Sequence, residues 1–152
     1  MYIIIFIIAI FLDQITKLWA ISNLRNQDDV ILIKNWLHLH YLENSGAAWG
    51  IFQDATIIFS FLTIVICFGI MYYLLKNSNN IGGLIKLPLV MIMAGAIGNL
   101  IDRIRLGYVI DFIFTPLGGL YNFPVFNFAD VYVSISAIFL MIYIYFFEGK
   151  NV

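Results

Sequence analysis

Charged residues are scarce in this chain of 152 residues, and that scarcity indicates its class. Only 11% of the residues are charged and 62% are hydrophobic, whereas soluble domains have about 25% charged and about 45–50% apolar residues. The composition therefore indicates an integral membrane protein, and the length fits one small domain over residues 1–152. The chain has no basic patch or nucleic-acid-binding motif, so we expect no nucleic acid among its partners.

Common catalytic signatures are also missing. The single cysteine, Cys67, lies in an apolar run, where it cannot form an internal disulfide and is most simply explained by core packing. The chain has no GxSxG, no HExxH and no cysteine near a histidine. The sequence therefore gives little support for a serine, zinc or cysteine hydrolase. His38 and His40 could ligate a metal, but without a third ligand nearby they are more simply sheet side chains. We expect no metal and no cofactor.

Long apolar segments take the place of those motifs. A helical span needs about 20 residues, and four segments qualify, at about residues 1–21, 56–75, 84–104 and 127–147. The first segment lacks a basic leading region and a clear cleavage site, so we interpret it as a retained membrane anchor. The predicted fold is an all-α membrane protein with four transmembrane helices and two long outer loops, at residues 22–55 and 105–126.

The loops carry signs of a small sheet. Residues Val30–Leu42 are rich in strand formers, and from Trp36 onward side chains of two kinds alternate. The second loop has Gly118–Gly119 and two nearby prolines, which favour turns around a short extended piece. We therefore predict a β-sheet and loop cradle outside the membrane, on the same side as the active site.

Four spans place both termini on one side of the membrane and both long loops on the other. All acidic residues except Glu148 then fall toward the loop side. Lysine and arginine are enriched in cytoplasmic loops, yet their raw count disfavours cytoplasmic termini unless Lys17, Arg103 and Arg105 are set aside as site residues. From the residues alone, the orientation stays open.

The stretch from Gly98 to Asp130 holds several charges between apolar segments. An ionisable group next to hydrocarbon is costly and indicates a functional site, although an ordinary charged loop is the simpler alternative. Within a helix, Asn99, Asp102 and Arg103 share a face. Arg103 alone could be an interfacial anchor, which does not explain Asn99.

Asp111 and Asp130 are the residues we expect to perform chemistry. Asp111 lies between apolar neighbours, and Asp130 follows Asn127 by three residues at the mouth of the fourth span. Two carboxylates in a half-dry site do not both ionise easily, so one is held protonated and the other charged. Such a pair can activate water and protonate a carbonyl without a metal or a covalent intermediate.

Other polar and small residues admit two interpretations each. Asp13 and Lys17 can pair at helical spacing, either as a structural ion pair or in contact with substrate. Asn44 and the small run Gly46–Ala48 allow a close backbone approach, or form a plain turn. Ala94 and Gly98 have the spacing of a close contact between membrane helices.

Taken together, the motifs closely resemble the bacterial lipoprotein signal peptidases, also called signal peptidase II. The resemblance covers nearly the whole chain and departs from the family pattern only slightly, at Trp49 and Ala94. Five motifs carry it in order: LDQITK (Leu12–Lys17), NSGAAWG (Asn44–Gly50), AGAIGNLIDR (Ala94–Arg103), VIDF (Val109–Phe112) and FNFAD (Phe126–Asp130).

The resemblance implies an aspartyl endopeptidase of the bacterial cytoplasmic (inner) membrane, with cytoplasmic termini and an active site on the outer face. Its substrates would be diacylglyceryl-modified prolipoproteins, cleaved just before the lipidated cysteine, and globomycin would inhibit it. The match assigns catalysis to Asp111 and Asp130. It assigns the substrate site to Asn44, Asn99, Arg103 and Asn127, and supporting roles to Asp13, Lys17, Gly98 and Asp102. We expect a monomer that contacts membrane lipids.

Two functions other than an enzyme were weighed on the residues. A small transport subunit would need polar groups through the full depth of the membrane, whereas the second span has no charge. An assembly scaffold would explain the small-residue helix face, but not Asp111 or Asp130.

Overall fold

The computed structural model describes residues 1–46 and 56–148. Within these residues, four helices are long and apolar enough to cross a membrane. They are α1 (Tyr2–Leu24), α2 (Thr56–Lys76), α3 (Gly83–Leu106) and α4 (Phe128–Tyr143), the last continued by a π-helical segment, Ile144–Glu148. The predicted fold class is confirmed, whereas the extent of the single domain stays a prediction.

Helix α3 is the central helix, because it packs against each of the other three. Close approach to α4 depends on Gly95, where an added Cβ would collide with the backbone oxygen of Ala129. Helix α2, by contrast, has no buried side chain. Its exposed apolar surface is what a lipid-facing helix requires, since hydrocarbon takes the place of a protein core there.

A four-stranded antiparallel sheet lies outside the helices, in the order β1 (Val30–Ile33), β2 (Leu37–Asn44), β3 (Val109–Thr115) and β4 (Phe123–Phe126). The β2–β3 register shifts by one residue between Leu39 and Leu42, which is a β-bulge. A small hydrophobic cluster joins the sheet to the end of α1; it consists of Ala20, Leu24, Ile110 and Phe112. This cluster fixes β3 against the helical bundle.

The C-terminus of α3 and the N-terminus of α4 position β3 and the residues that follow β4. Helix α3 ends at Gly107, whose φ of 86° is left-handed, and its N–H bonds to the carbonyl of Arg103. The chain then enters β3 almost at once. Helix α4 begins with a capping box, in which the Asn127 side chain accepts from the backbone of Asp130 and the Asp130 side chain accepts from the backbone of Asn127.

Candidate active site

Asp111 and Asp130 are brought together by one asparagine. The side-chain amide of Asn127 donates to Asp111 Oδ1 at 2.6 Å, and its backbone N–H donates to Asp130 Oδ2 at 3.1 Å. Asn127 and Asp111 are almost fully buried, at 0% and 1% exposure, and Asp130 is half-buried. Strand β3 and the first turn of α4 therefore present two carboxylates to a shared, largely dry space.

Two further asparagines complete the hydrogen bonds of this pair. Asn44 Nδ2 donates to Asp111 Oδ2 at 2.8 Å, and Asn99 Nδ2 donates to Asp130 Oδ1 at 2.8 Å. Each oxygen of both carboxylates thus accepts from an asparagine. Neutral amide donors orient a carboxylate without neutralising it, so the charge of the pair depends on proton binding.

Burial and a like charge act together on Asp111. Loss of solvent is the larger cause and the neighbouring Asp130 carboxylate the second, and they raise the pKa of Asp111 to about 7 from its ordinary value of 3.8. The bonds from Asn44 and Asn127 act in the opposite direction. Both causes favour the protonated form of Asp111, and the two carboxylates titrate as a coupled pair.

A buried ion cluster lies beside this pair. Lys17 Nζ is 3.0 Å from Asp13 Oδ2 and 2.8 Å from Asp102 Oδ2, and all three side chains are at most 2% exposed. Lys17 also donates to Asn99 Oδ1 at 2.7 Å. Since Asn127 donates to the same oxygen, the Asn99 carbonyl faces two donors and its amide nitrogen is turned toward Asp130. The ion cluster thereby orients a residue of the pair.

Gly98 makes room for this cluster. A Cβ at position 98 would lie 2.5 Å from Asp13 Oδ2, so any side chain would displace that carboxylate. The other oxygen of Asp13 accepts from the backbone N–H of Ala129 at 3.0 Å. Asp13 therefore ties α1 to the start of α4.

Sequence reasoning missed Gln14, which lies within the same network. Its amide donates to Asp102 Oδ1 at 3.0 Å, to the carbonyl of Gly98 at 3.2 Å and to Asp13 Oδ2 at 3.3 Å. The available signal was its spacing of three residues from Lys17, which places both on one helix face. Thr56 was missed as well; its hydroxyl donates to the carbonyls of Ser45 and Gly107.

Arg103 lies at the edge of the site. It is half-buried and interacts electrostatically with Asp130, Asp111 and Asp102. Its guanidinium carbon is 5.7 Å from the ring centroid of Phe59 on α2, a cation–π distance. Arg103, Asn99 and Asp130 also line a cleft of about 290 Å³ whose remaining walls come from α2, α3 and α4. The cleft gives Asp130 access from the side of the bundle.

Each of the two histidines contacts another side chain at or near the sheet. His40 Nδ1 lies 2.6 Å from Asp29 Oδ1, and the His38 ring packs edge-on against Phe114. Among residues 1–46 and 56–148, no three His, Cys, Asp or Glu side chains are grouped for a metal ion. Of the NSGAAWG motif, the last four residues (Ala47, Ala48, Trp49 and Gly50) lie outside the described residues.

Known proteins match this chain over most of its length. The family model described as Signal peptidase (SPase) II matches residues 5–146. The lipoprotein signal peptidase of Clostridium tetani (strain Massachusetts / E88) is 47% identical over 144 residues, which is 95% of this chain and 92% of that protein. The lipoprotein signal peptidase of Clostridioides difficile (strain 630) is 41% identical over 151 residues, 99% of each chain.

Solved structures agree with the sequence relatives. One bacterial membrane enzyme structure has a TM-score of 0.85 and 31% identity, and the match covers 99% of this chain and 91% of the other. A second bacterial membrane enzyme structure has a TM-score of 0.80 and 33% identity, covering 93% and 90%. The similarity extends over the helices and the sheet alike.

Proposed function

This chain belongs to the signal peptidase II family, and from that premise we propose that it is an aspartyl endopeptidase acting on diacylglyceryl-modified prolipoproteins. It removes the signal peptide by cutting the bond just before the lipidated cysteine. Family membership indicates a protease that acts on signal peptides. The aspartic mechanism and the cleavage position are the proposal.

One observation carries the aspartic mechanism. Asn127 donates to Asp111 from its side chain and to Asp130 from its backbone, within 3.1 Å in both cases. Two carboxylates held by one residue in a dry site are suited to share a proton. With the pKa of Asp111 raised to about 7, one acid and one base are both present near neutral pH.

Asp130 is assigned the role of base. Its carboxylate lies at the N-terminus of α4, where the helix dipole and backbone N–H groups favour negative charge. Asp130 takes a proton from a water molecule as the water oxygen bonds to the scissile carbonyl carbon, and Asp111 protonates the carbonyl oxygen. The resulting diol collapses as the C–N bond breaks. Asp130 then gives its proton to the leaving nitrogen, and Asp111 recovers a proton from the diol.

The flanking residues are assigned to the substrate. Asn44, Asn99, Arg103 and Asn127 line the peptide site, and the cleft at Arg103 opens toward the bilayer for an acyl-bearing substrate. Asp13, Lys17, Gly98 and Asp102 support the site, because their cluster fixes the Asn99 amide. A substrate anchored in lipid presents its scissile bond near headgroup depth, which is where helix ends and sheet meet.

The chain is a multi-pass membrane protein, and we place it in the bacterial cytoplasmic (inner) membrane. Both termini then face the cytoplasm and the site faces outward, as the family resemblance implies. Cysteine lipidation precedes cleavage in this scheme, so substrate and enzyme share one membrane. Globomycin is the expected inhibitor, the expected functional unit is a monomer, and membrane lipids surround it.

Cleavage by the purified protein tests the proposal. A diacylated precursor and the same precursor without lipid are incubated with the protein, each with and without globomycin, and products are separated by mass. We expect cleavage of the diacylated precursor alone, immediately before its cysteine, and its loss with globomycin. Equal cleavage of both precursors would remove the lipid-specific assignment, and no cleavage of either would overturn the peptidase assignment.

A further inference from the structure

A second polar cluster lies outside the site, on the far side of strand β2 from the carboxylate pair. We call it the Glu43 cluster; it consists of Arg25, Tyr41, Glu43 and Tyr108. Glu43 Oε1 lies 2.9 Å from Arg25 Nη2 and accepts from the Tyr41 hydroxyl at 3.1 Å. Tyr108 also interacts with Glu43, and the Arg25 guanidinium carbon is 6.0 Å from the Tyr41 ring centroid.

Both phenols interact with this carboxylate, and the Tyr41 hydroxyl donates to it. Burial raises the pKa of Tyr41 and of Tyr108, and the hydrogen bond to Glu43 raises each further. Neither hydroxyl therefore ionises at physiological pH. One carboxylate thus joins three separate parts of the chain: the end of α1, strand β2 and the residue that precedes β3.

The Glu43 cluster lies beside the end of the β2–β3 pairing. Glu43 pairs with Ile110 and Asn44 pairs with Val109, and the β-bulge separates these rungs from the Leu39 end of the strand. Strand ends fray most readily. Because neighbouring side chains in a strand point to opposite faces, Glu43 is held from one face while Asn44 reaches Asp111 Oδ2, at 2.8 Å, from the other.

We propose that the Glu43 cluster is a positioning clamp: it holds the end of β2 so that Asn44 keeps its hydrogen bond to Asp111. Glu43 is thus a positioning residue that acts through Asn44 and does not touch substrate. The inference deepens the proposed function and rests on it for its activity readout.

Loss of the clamp should change the pKa of Asp111, because the groups around Asp111 determine that pKa. Asp130 raises the pKa of Asp111, whereas Asn44, Asn127 and Lys17 lower it; Arg103 also interacts with Asp111. If Asn44 is released, one bond that favours the ionised form is lost. The pKa of Asp111 then rises, and the alkaline limb of the pH profile moves to higher pH.

Glu43→Ala tests the clamp, with Asp29→Ala as the matched control. Asp29 Oδ1 lies 2.6 Å from Nδ1 of His40, which is on the same strand as Glu43, and this pair is about as exposed as the pair of Arg25 with Glu43. We expect Glu43→Ala to lower kcat/KM by roughly 3- to 10-fold, the scale of one hydrogen bond, and to shift the alkaline limb upward. Asp29→Ala leaves both unchanged. Glu43→Gln keeps an acceptor for the tyrosines and recovers part of the loss.

The variant Asn44→Ala separates a clamp from a general stabiliser. In that background Glu43→Ala is expected to cause no further shift of the pH limb, because the bond it protects is gone. A shift of the same size in both backgrounds, or no shift in either, overturns the proposal.

A readout without turnover keeps the clamp separate from the enzyme assignment. The titration of Asp111 is followed by ¹³C NMR of aspartate-labelled protein, with Asp111→Asn identifying the signal. An upward shift of that titration in Glu43→Ala supports the clamp even if the parent cleaves nothing, in which case the proposed function alone fails. An unchanged titration overturns the clamp.

Discussion

Two groups of buried carboxylates lie side by side in this protein, and they are partnered in opposite ways. Asp13 and Asp102 share an ammonium, since Lys17 lies within 3.0 Å of both. Asp111 and Asp130 accept their hydrogen bonds from asparagines, and Arg103 interacts with both of them electrostatically. The first group carries a countercharge at its centre, whereas the second does not.

This difference indicates a structural role for Asp13 and Asp102, and a role in acid–base catalysis for Asp111 and Asp130. A buried ion pair repays its desolvation only when both partners are present, so the loss of Lys17 would leave two buried carboxylates without a countercharge. The carboxylate pair is oriented by amides yet free to gain or lose a proton, which is what acid–base catalysis requires. Asn99 links the two groups, because it accepts from Lys17 and donates to Asp130.

The largest expected effect comes from removing either member of the pair. Asp111→Asn and Asp130→Asn should each lower kcat by about 10³- to 10⁴-fold, because an amide can neither take a proton from water nor protonate a carbonyl. The measurement is the single-turnover cleavage rate of a diacylated precursor.

Stability of the same variants sharpens the comparison. Asp111→Asn removes a desolvated carboxylate and its repulsion with Asp130, but it also replaces one of two acceptor oxygens with a donor. We therefore expect its apparent Tm in detergent to stay close to that of the parent. Cleavage at the parental rate by either variant would refute the assignment of the pair.

Removing Lys17 from its group with Asp13 and Asp102 should lower the free energy of unfolding. Lys17→Met leaves Asp13 and Asp102 buried without a countercharge, and we expect a loss of about 3–5 kcal/mol. Thermal unfolding in detergent can be followed by circular dichroism as an apparent Tm. Lys86→Met is the control, since Lys86 donates to a backbone carbonyl at an exposed helix end. Equal Tm values for the two variants would contradict a supporting role for Lys17.

The pH dependence of stability should carry the signature of Asp111. Its pKa is about 7 in the folded protein against an ordinary 3.8, so the folded state binds a proton that the unfolded chain has released. Proton binding by Asp111 therefore contributes up to about 4 kcal/mol to the free energy of unfolding. This contribution is complete below about pH 4 and is lost as the pH rises to about 7. Apparent Tm measured across that range in parent and Asp111→Asn should show the slope in the parent alone. A parallel slope in both would place its origin elsewhere.

The membrane helices were predictable because apolar composition is a local property. Each span is a mostly apolar run of about 20 residues, interrupted in the first span by Asp13 and Lys17, and a helix is the stable form of such a run in a bilayer. The polar residues proposed for the site also meet in the structure, since Asn44, Asn99 and Asn127 all bond to the carboxylate pair. Their roles in catalysis stay a prediction.

The contacts that were not predictable join residues far apart in the chain. Gln14 reaches Asp102 across 88 positions, and no spacing rule connects two helices in that way. The bulge in β2 likewise depends on its pairing with β3, whereas strand propensity describes each strand alone. The Glu43 cluster combines both difficulties, because Arg25, Glu43 and Tyr108 meet only after the sheet docks on α1.

The smallest expected effect tests how the Lys17 group is balanced. With two carboxylates and one ammonium, the group has one carboxylate in excess, so Asp13→Asn leaves the Lys17–Asp102 pair intact. The asparagine oxygen can still accept from the backbone of Ala129, as Asp13 Oδ1 does at 3.0 Å. We therefore expect a loss of only about 1 kcal/mol, measured as apparent Tm, with cleavage close to parental because Asn99 keeps its bond to Lys17. If Asp13→Asn were as damaging as Lys17→Met, the excess-charge argument would fail, and Asp13 would be the true partner of Lys17.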